Sequence, residues 1–221
     1  MFQIEEYMQE LIASLKNTFK EKLQYVGLQG SYMRGEANEN SDIDVVVILS
    51  ELNIDDLNMY KNLIRETVYP EKSCGFICGK KEMANWNPME ICHLVHSTED
   101  YYGTLSELVP KYNEQDVINF IKLSVNNLYH EICHRYIHSD INKNKQRIAG
   151  AYKNVFFILQ NVYLLKIGAF VKTKKELYKE LVGIDAEVMK MASELEKNVE
   201  YNFEEAFELL LKWCQGIIGE E

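Results

Sequence analysis

No part of this chain is more restrictive than Gly27-Leu-Gln-Gly-Ser-Tyr-Met-Arg-Gly-Glu-Ala-Asn-Glu-Asn-Ser-Asp-Ile-Asp-Val-Val-Val47. A short β-like run from Tyr25 ends at Gly30-Ser31. Glycine permits close backbone approach and an unusual φ. A helical turn after it would aim backbone N–H groups at whatever lies there, a place that anions favour, and the Ser31 hydroxyl adds one more donor. Ten residues later, Asp42 and Asp44 enter Ile43-Asp-Val-Val-Val-Ile-Leu49, whose β-branched residues predict a strand. The strand period of two puts both carboxylates on one face and turns Ile43 and Val45 toward the core. Adjacent carboxylates repel unless a cation shares them. Mg²⁺ prefers such oxygen ligands and completes its shell with water and substrate phosphates. A lone Asp-x-Asp would read as a cap and a turn. The whole string reads as a phosphate cradle beside a metal-holding pair of acids.

Around this string the periodicity predicts a helix over residues 3–23, with Ile4, Tyr7, Met8, Leu11, Ile12, Leu15 and Phe19 at three- and four-residue steps. A second helix is predicted over 55–68, closed by Pro70, then a strand from Ser73, and a helix opened by Asn87-Pro88. Beyond residue 88 no strand is predicted. Helical patterns run over 115–138, 146–167, 174–181, 185–199 and 203–217. The reading is a small α/β half and then a helical half, with the boundary between 105 and 115.

Composition narrows the partners. With 221 residues, 47% of them apolar and 26% charged, the chain can bury a core as one large or two small domains. The net charge of −10 disfavours non-specific binding to nucleic acid, which needs surplus positive charge. Residues 141–175 nevertheless hold eight Lys or Arg and no acid, whereas 176–221 hold twelve acids and four bases. Such a run is a solvated helix face or a place where an anion is met. Five scattered cysteines without paired spacing predict reduced thiols rather than a disulfide framework or a cysteine zinc site. No membrane span and no signal region are read, so a cytoplasmic location is expected.

Gly-Ser, ten residues, then Asp-x-Asp resembles the signature of the DNA polymerase beta-like nucleotidyltransferase superfamily, matched here by Gly30, Ser31, Asp42 and Asp44. Arg34-Gly-Glu-Ala37 and Ser41 resemble its bacterial minimal members, among them the antitoxin and aminoglycoside-modifying branches. The likeness covers residues 25–50. It implies an α+β fold: a small mixed β-sheet domain with helices over 1–110, followed by an all-helical bundle over 111–221, similar in layout to aminoglycoside adenylyltransferases. It implies Mg²⁺-dependent transfer of AMP or another nucleoside monophosphate from a nucleoside triphosphate, ATP on family grounds, to a hydroxyl. Asp42 and Asp44 would be catalytic and bind the metals. Gly30, Ser31, Arg34, Ser41 and Lys153 would bind nucleotide. The acceptor implied is a small molecule such as an aminoglycoside. The alternatives are a protein hydroxyl, as in antitoxin-type transferases, or a weakened nucleotide-binding protein. Active members carry a third carboxylate on a later strand. Ser73–Gly79 contains no acid, which leaves Glu71, Glu82, Glu90, Asp100 or the helical half to supply it.

Other features are weighed beside their plainer readings. His130-Glu-Ile-Cys-His134 is formally a zinc-protease motif, and His138 extends the row, but the glycine turn before a third histidine is absent. A helix-surface or interdomain histidine row is the plainer reading, with an incidental metal site a further one. Lys153 reads equally as a triphosphate ligand and as a snorkelling surface lysine. Tyr152, Tyr163, Phe156 and Phe157 read as core, and Thr173 with Glu176 as a capping box. Arg34 touches phosphate or pairs with Glu36 or Glu39.

Overall fold

A computed structural model describes residues 3–197 and 199–219. The chain divides into two compact units at Tyr112 and Asn113.

In the first unit the elements run α1 (Ile4–Phe19), β1 (Leu23–Leu28), α2 (Gly30–Met33), β2 (Ile43–Leu49), α3 (Ile54–Arg65), β3 (Ser73–Gly79), α4 (Lys80–Ala84), α5 (Pro88–His96) and β4 (Glu99–Tyr102). The sheet order is β3-β2-β1-β4. β2 and β3 are parallel, and β1 is antiparallel to both β2 and β4. The sheet is therefore mixed, in an α+β fold.

β2 explains its own apolar run. Ile43, Val45, Val47 and Leu49 pack with Tyr7, Met8, Leu11, Leu15 and Phe19 of α1 and Leu63 of α3. Val46 and Ile48 face the other way, into a second core with Tyr25, Cys78, Met83 and Leu105. A strand covered on both faces has no polar alternation, and each fully buried aliphatic side chain contributes about 1.5–3 kcal/mol. Asp44 is the exception in this strand, near its N-terminal end on the second face. α3 is held in place by a reciprocal cap between Asn53 and Asp56. Lys22 reaches the same Asp56 carboxylate at 3.1 Å, joining the start of β1 to the helix.

Two expectations change here. A strand does follow residue 88: β4 pairs Glu99 with Leu28, Asp100 with Gly27 and Tyr102 with Val26. Its four residues, Glu-Asp-Tyr-Tyr, are charged or half exposed, as suits a short edge strand, so no apolar period announces it. The first helix stops at Phe19, and Lys20–Lys22 form a 3₁₀ turn with Lys20 at φ 49°.

The second unit holds α6 (Glu114–His138), α7 (Ile141–Ile167), α8 (Lys174–Glu180), α9 (Gly183–Glu196) and α10 (Phe203–Gly219). α6 buries Val117, Ile121, Val125, Leu128 and Ile132 along one stripe and begins with an Asn113–Asp116 capping box. Tyr152 is a core residue whose hydroxyl donates to the Ala206 carbonyl at 2.7 Å. Trp213 is buried and donates its Nε1–H to Asp185 at 2.8 Å. Thr173 caps α8 through the Glu176 N–H. α9 ends at Glu196, before the expected residue 199; Asn198, inside the expected span, lies outside the described residues.

Gly75 lets β3 lie beside β2. Its φ is +114°, and a Cβ there would overlap the Val45 backbone. Gly75→Ala is therefore expected to lower the unfolding free energy by more than the roughly 1 kcal/mol of an ordinary glycine substitution, read as a lower urea midpoint. A midpoint equal to that of the parent chain would show that the strands have room for a side chain.

Candidate active site

The site grows from the junction of β1, α2 and β2. The Gln29 N–H donates to the Asp44 carbonyl at 2.8 Å, which pins the turn after β1 to the start of β2. Gly30 follows at φ +70°, and a Cβ on it would overlap Asp44 Oδ2. The glycine is thus required both by its backbone and by the carboxylate lying against it. Ser31 is the second residue of the short helical turn, partly exposed. The loop beyond is braced locally. The Asn38 N–H donates to Ser41 Oγ at 2.9 Å, and the Asn40 N–H donates to Asn38 Oδ1 at 2.9 Å. Ser41 thus shapes the turn that delivers Asp42.

Asp42 is exposed and Asp44 half-buried, with Val46 and Ile48 further along the same face. Desolvation holds the Asp44 carboxyl above its usual range. The negative charge of Asp42 raises it further, whereas a hydrogen bond from Cys74 and the charge of Arg34 oppose the rise. A carboxylate pressed by the charge of a neighbouring one forms with it an oxygen-rich place that a divalent cation relieves. Mg²⁺ fits this donor set, because it is commonly held by one or two carboxylates together with substrate phosphates. Among the described residues no three His, Cys, Asp or Glu side chains form a ready metal cage.

The strand neighbour of Asp44 is a thiol. Cys74 of β3 lies in parallel register with Asp44 and hydrogen-bonds its carboxylate. Desolvation of the sulfur, and then the charges of Asp44 and Asp42, hold that thiol above its ordinary value, so the S–H is the donor. The acids considered from sequence are engaged or placed elsewhere. Asp100 accepts the Tyr25 hydroxyl at 2.6 Å and the Leu105 N–H at 3.4 Å. Glu90 accepts the Trp86 Nε1–H at 2.8 Å. Glu82 lies against Gly79, at the opposite end of β3 from Cys74. Glu71 is exposed in the turn before β3.

Arg34 is largely covered, and its Nε donates to Glu36 at 3.0 Å. It acts electrostatically on both Asp44 and His93. Neither His93 on α5 nor Cys74 carries a local sequence signal of its place beside this site. Burial, then Arg34, then His96 push the His93 imidazole down to about 4, so it is neutral near pH 7. The His96 ring lies 3.2 Å from the Tyr112 hydroxyl. Lys153 belongs to the second unit, exposed on α7.

Residues 9–82, within the first unit, match the family model described as a nucleotidyltransferase domain, a match that supports a transferase. No curated protein matches the chain. Among solved structures, the spectinomycin adenyltransferase AAD(9) from Enterococcus faecialis, with ATP and spectinomycin, aligns at TM-score 0.63 and 14% identity, covering 98% of this chain and 99% of that one. At that identity the likeness is one of fold. A toxin–antitoxin structure with AMP-PNP aligns at TM-score 0.33 and 20% identity over 61% of this chain and 94% of that one. A nucleotidyltransferase-like protein from Exiguobacterium sibiricum 255-15 aligns at TM-score 0.35 and 13% identity over 98% and 74%. Both are too loose to bear on the argument.

His93 predicts an acid-side loss of stability. An unfolded histidine titrates near 6.5, so between about pH 4 and 6.5 the unfolded chain holds a proton that the folded chain excludes. Stability from this group is full above 6.5 and falls as pH drops toward 4, by at most about 3 kcal/mol. Urea midpoints measured across this window should fall, and His93→Gln should remove that component. An unchanged slope in the variant would place the effect on other groups.

Proposed function

We propose that the chain catalyses Mg²⁺-dependent transfer of a nucleoside monophosphate, AMP from ATP, to a hydroxyl of a small molecule. The observation that carries this reading is the placement of Asp42 and Asp44 on one face at the accessible end of a strand buried along the rest of its length, with Gly30-Ser31 packed against Asp44. Asp42 and Asp44 would hold the divalent ions, which when bound neutralise charge on the triphosphate and the leaving pyrophosphate. Gly30 brings the backbone close to the terminal phosphates, and the Ser31 hydroxyl donates to them. Arg34 balances the negative charge beside Asp44, while Ser41 steadies the approach of Asp42. A small-molecule acceptor is supported by the likeness of fold to an enzyme solved with spectinomycin. The net charge of −10 favours a cationic acceptor of the aminoglycoside kind.

One observation favours a second reading, nucleotide binding with little transfer: the group in register with Asp44 is the Cys74 thiol rather than an acid. A missing acid–base group removes a contribution on the order of 10²–10⁴ in rate.

Incubation with α-labelled ATP, Mg²⁺ and a panel of aminoglycosides and spectinomycin tests both. Label on the small molecule is expected. Label confined to a protein band would move the acceptor to a protein hydroxyl, and Mg-ATP binding without any label would favour the second reading. Asp44→Asn should abolish transfer and metal-dependent ATP binding while leaving the thermal midpoint nearly unchanged; full activity in that variant would remove Asp44 from the mechanism. Under the second reading Cys74→Asp should raise the transfer rate, whereas a fall would show the thiol to be the better group at that position.

A further inference from the structure

Three of the five histidines of this chain stand together, far along α6 from the start of the helical unit. His130, His134 and His138 lie at i, i+4 and i+8, on one side of an unbroken helix. All three are exposed. Their rings are neighbours in sequence and tilted to one another, with centroids 5.9 Å apart for His130–His134 and 4.7 Å for His134–His138. No hydrogen bond or ion pair among the described residues ties any of the three rings down.

The spacing suits a shared ion. Zinc–nitrogen bonds are about 2.0–2.1 Å, and a ring nitrogen lies about 1.2 Å from its ring centre, so two imidazoles on one tetrahedral ion have centroids roughly 5 Å apart. The His134–His138 separation lies close to that value, and the helix supplies it without any loop having to move. Imidazole suits Zn²⁺, Cu²⁺ and Ni²⁺, whereas Mg²⁺ seeks oxygen. With two nitrogens supplied by the helix, water would fill the remaining positions of the ion. Glu131, the acid of the formal protease motif, is paired with Arg135 at 2.8 Å, so it is engaged one position round the helix rather than poised as a base beside an ion.

We propose that His134 and His138 form a helix-surface site for one borderline divalent transition-metal ion, Zn²⁺, Ni²⁺ or Cu²⁺, with His130 one turn further along. The site is independent of the Asp42–Asp44 pair and takes a different class of cation.

The test is calorimetric titration of ZnCl₂ and NiCl₂ into the full chain carrying no histidine tag, repeated in Asp44→Asn so that the acidic pair makes no contribution. One equivalent of ion is expected to bind in both backgrounds and to raise the thermal midpoint. The equivalent should be lost in His134→Gln and in His138→Gln and kept in His130→Gln, while MgCl₂ should give no signal that depends on these histidines. The exposed positions make folding defects in these variants easy to exclude by circular dichroism. Absence of bound ion in the parent chain, or unchanged binding in the His134→Gln/His138→Gln double variant, overturns the proposal. Neither result touches the transfer reaction, which is read separately by label.

Discussion

The candidate site depends on how closely a backbone approaches a carboxylate. Gly30 occupies a left-handed conformation with Asp44 Oδ2 filling the space where a Cβ would stand, and the neighbouring Gln29 N–H holds the Asp44 carbonyl. One hydrogen bond and one missing methyl group thus bring the Gly30-Ser31 turn and the Asp44 carboxylate together. The frame behind them is rigid, because β2 is packed on both faces by aliphatic side chains from two separate cores. Side chains built on such a strand keep their geometry better than those on a loop.

Electrostatics around this junction are arranged in tiers. Asp42 meets solvent, Asp44 is partly desolvated, and Arg34 sits close enough to temper Asp44 while spending its Nε on Glu36. His93, kept neutral by burial and by the same arginine, adds no second positive charge near neutral pH. A thiol that donates to Asp44 from the next strand opposes the rise of that carboxyl. In a chain of net charge −10, this is a local concentration of acid of the kind that attracts cations.

Legibility along the chain followed the size of the apolar signal. Residues 43–49 stood out because burial on both faces demands an unbroken aliphatic run, and the strand occupies those residues. The long helices were readable from their apolar stripes, and the start of α8 from the Thr173–Glu176 capping pattern. β4 was hidden: an edge strand four residues long that carries Glu99 and Asp100 shows neither period nor apolar content. Cys74 and His93 were hidden for a different reason. Their relevance lies in which residue of β3 pairs with Asp44 and in how α5 lies near Arg34, and neither fact has a local trace.

What the sequence determined by itself was local and periodic: the Gly30-Ser31 turn, the shared face of Asp42 and Asp44, the succession of an α/β half and a helical half. These follow from φ preferences and from periods of 2 and 3.6, which act over a few neighbours. Only the tertiary structure decided which strand stands beside β2, and so that a sulfur rather than a carboxylate meets Asp44. It also decided that Asp100 is occupied by Tyr25 and that Glu90 is occupied by Trp86. Register between distant strands is set by the summed packing of both faces of a sheet, a quantity that no short stretch of residues contains.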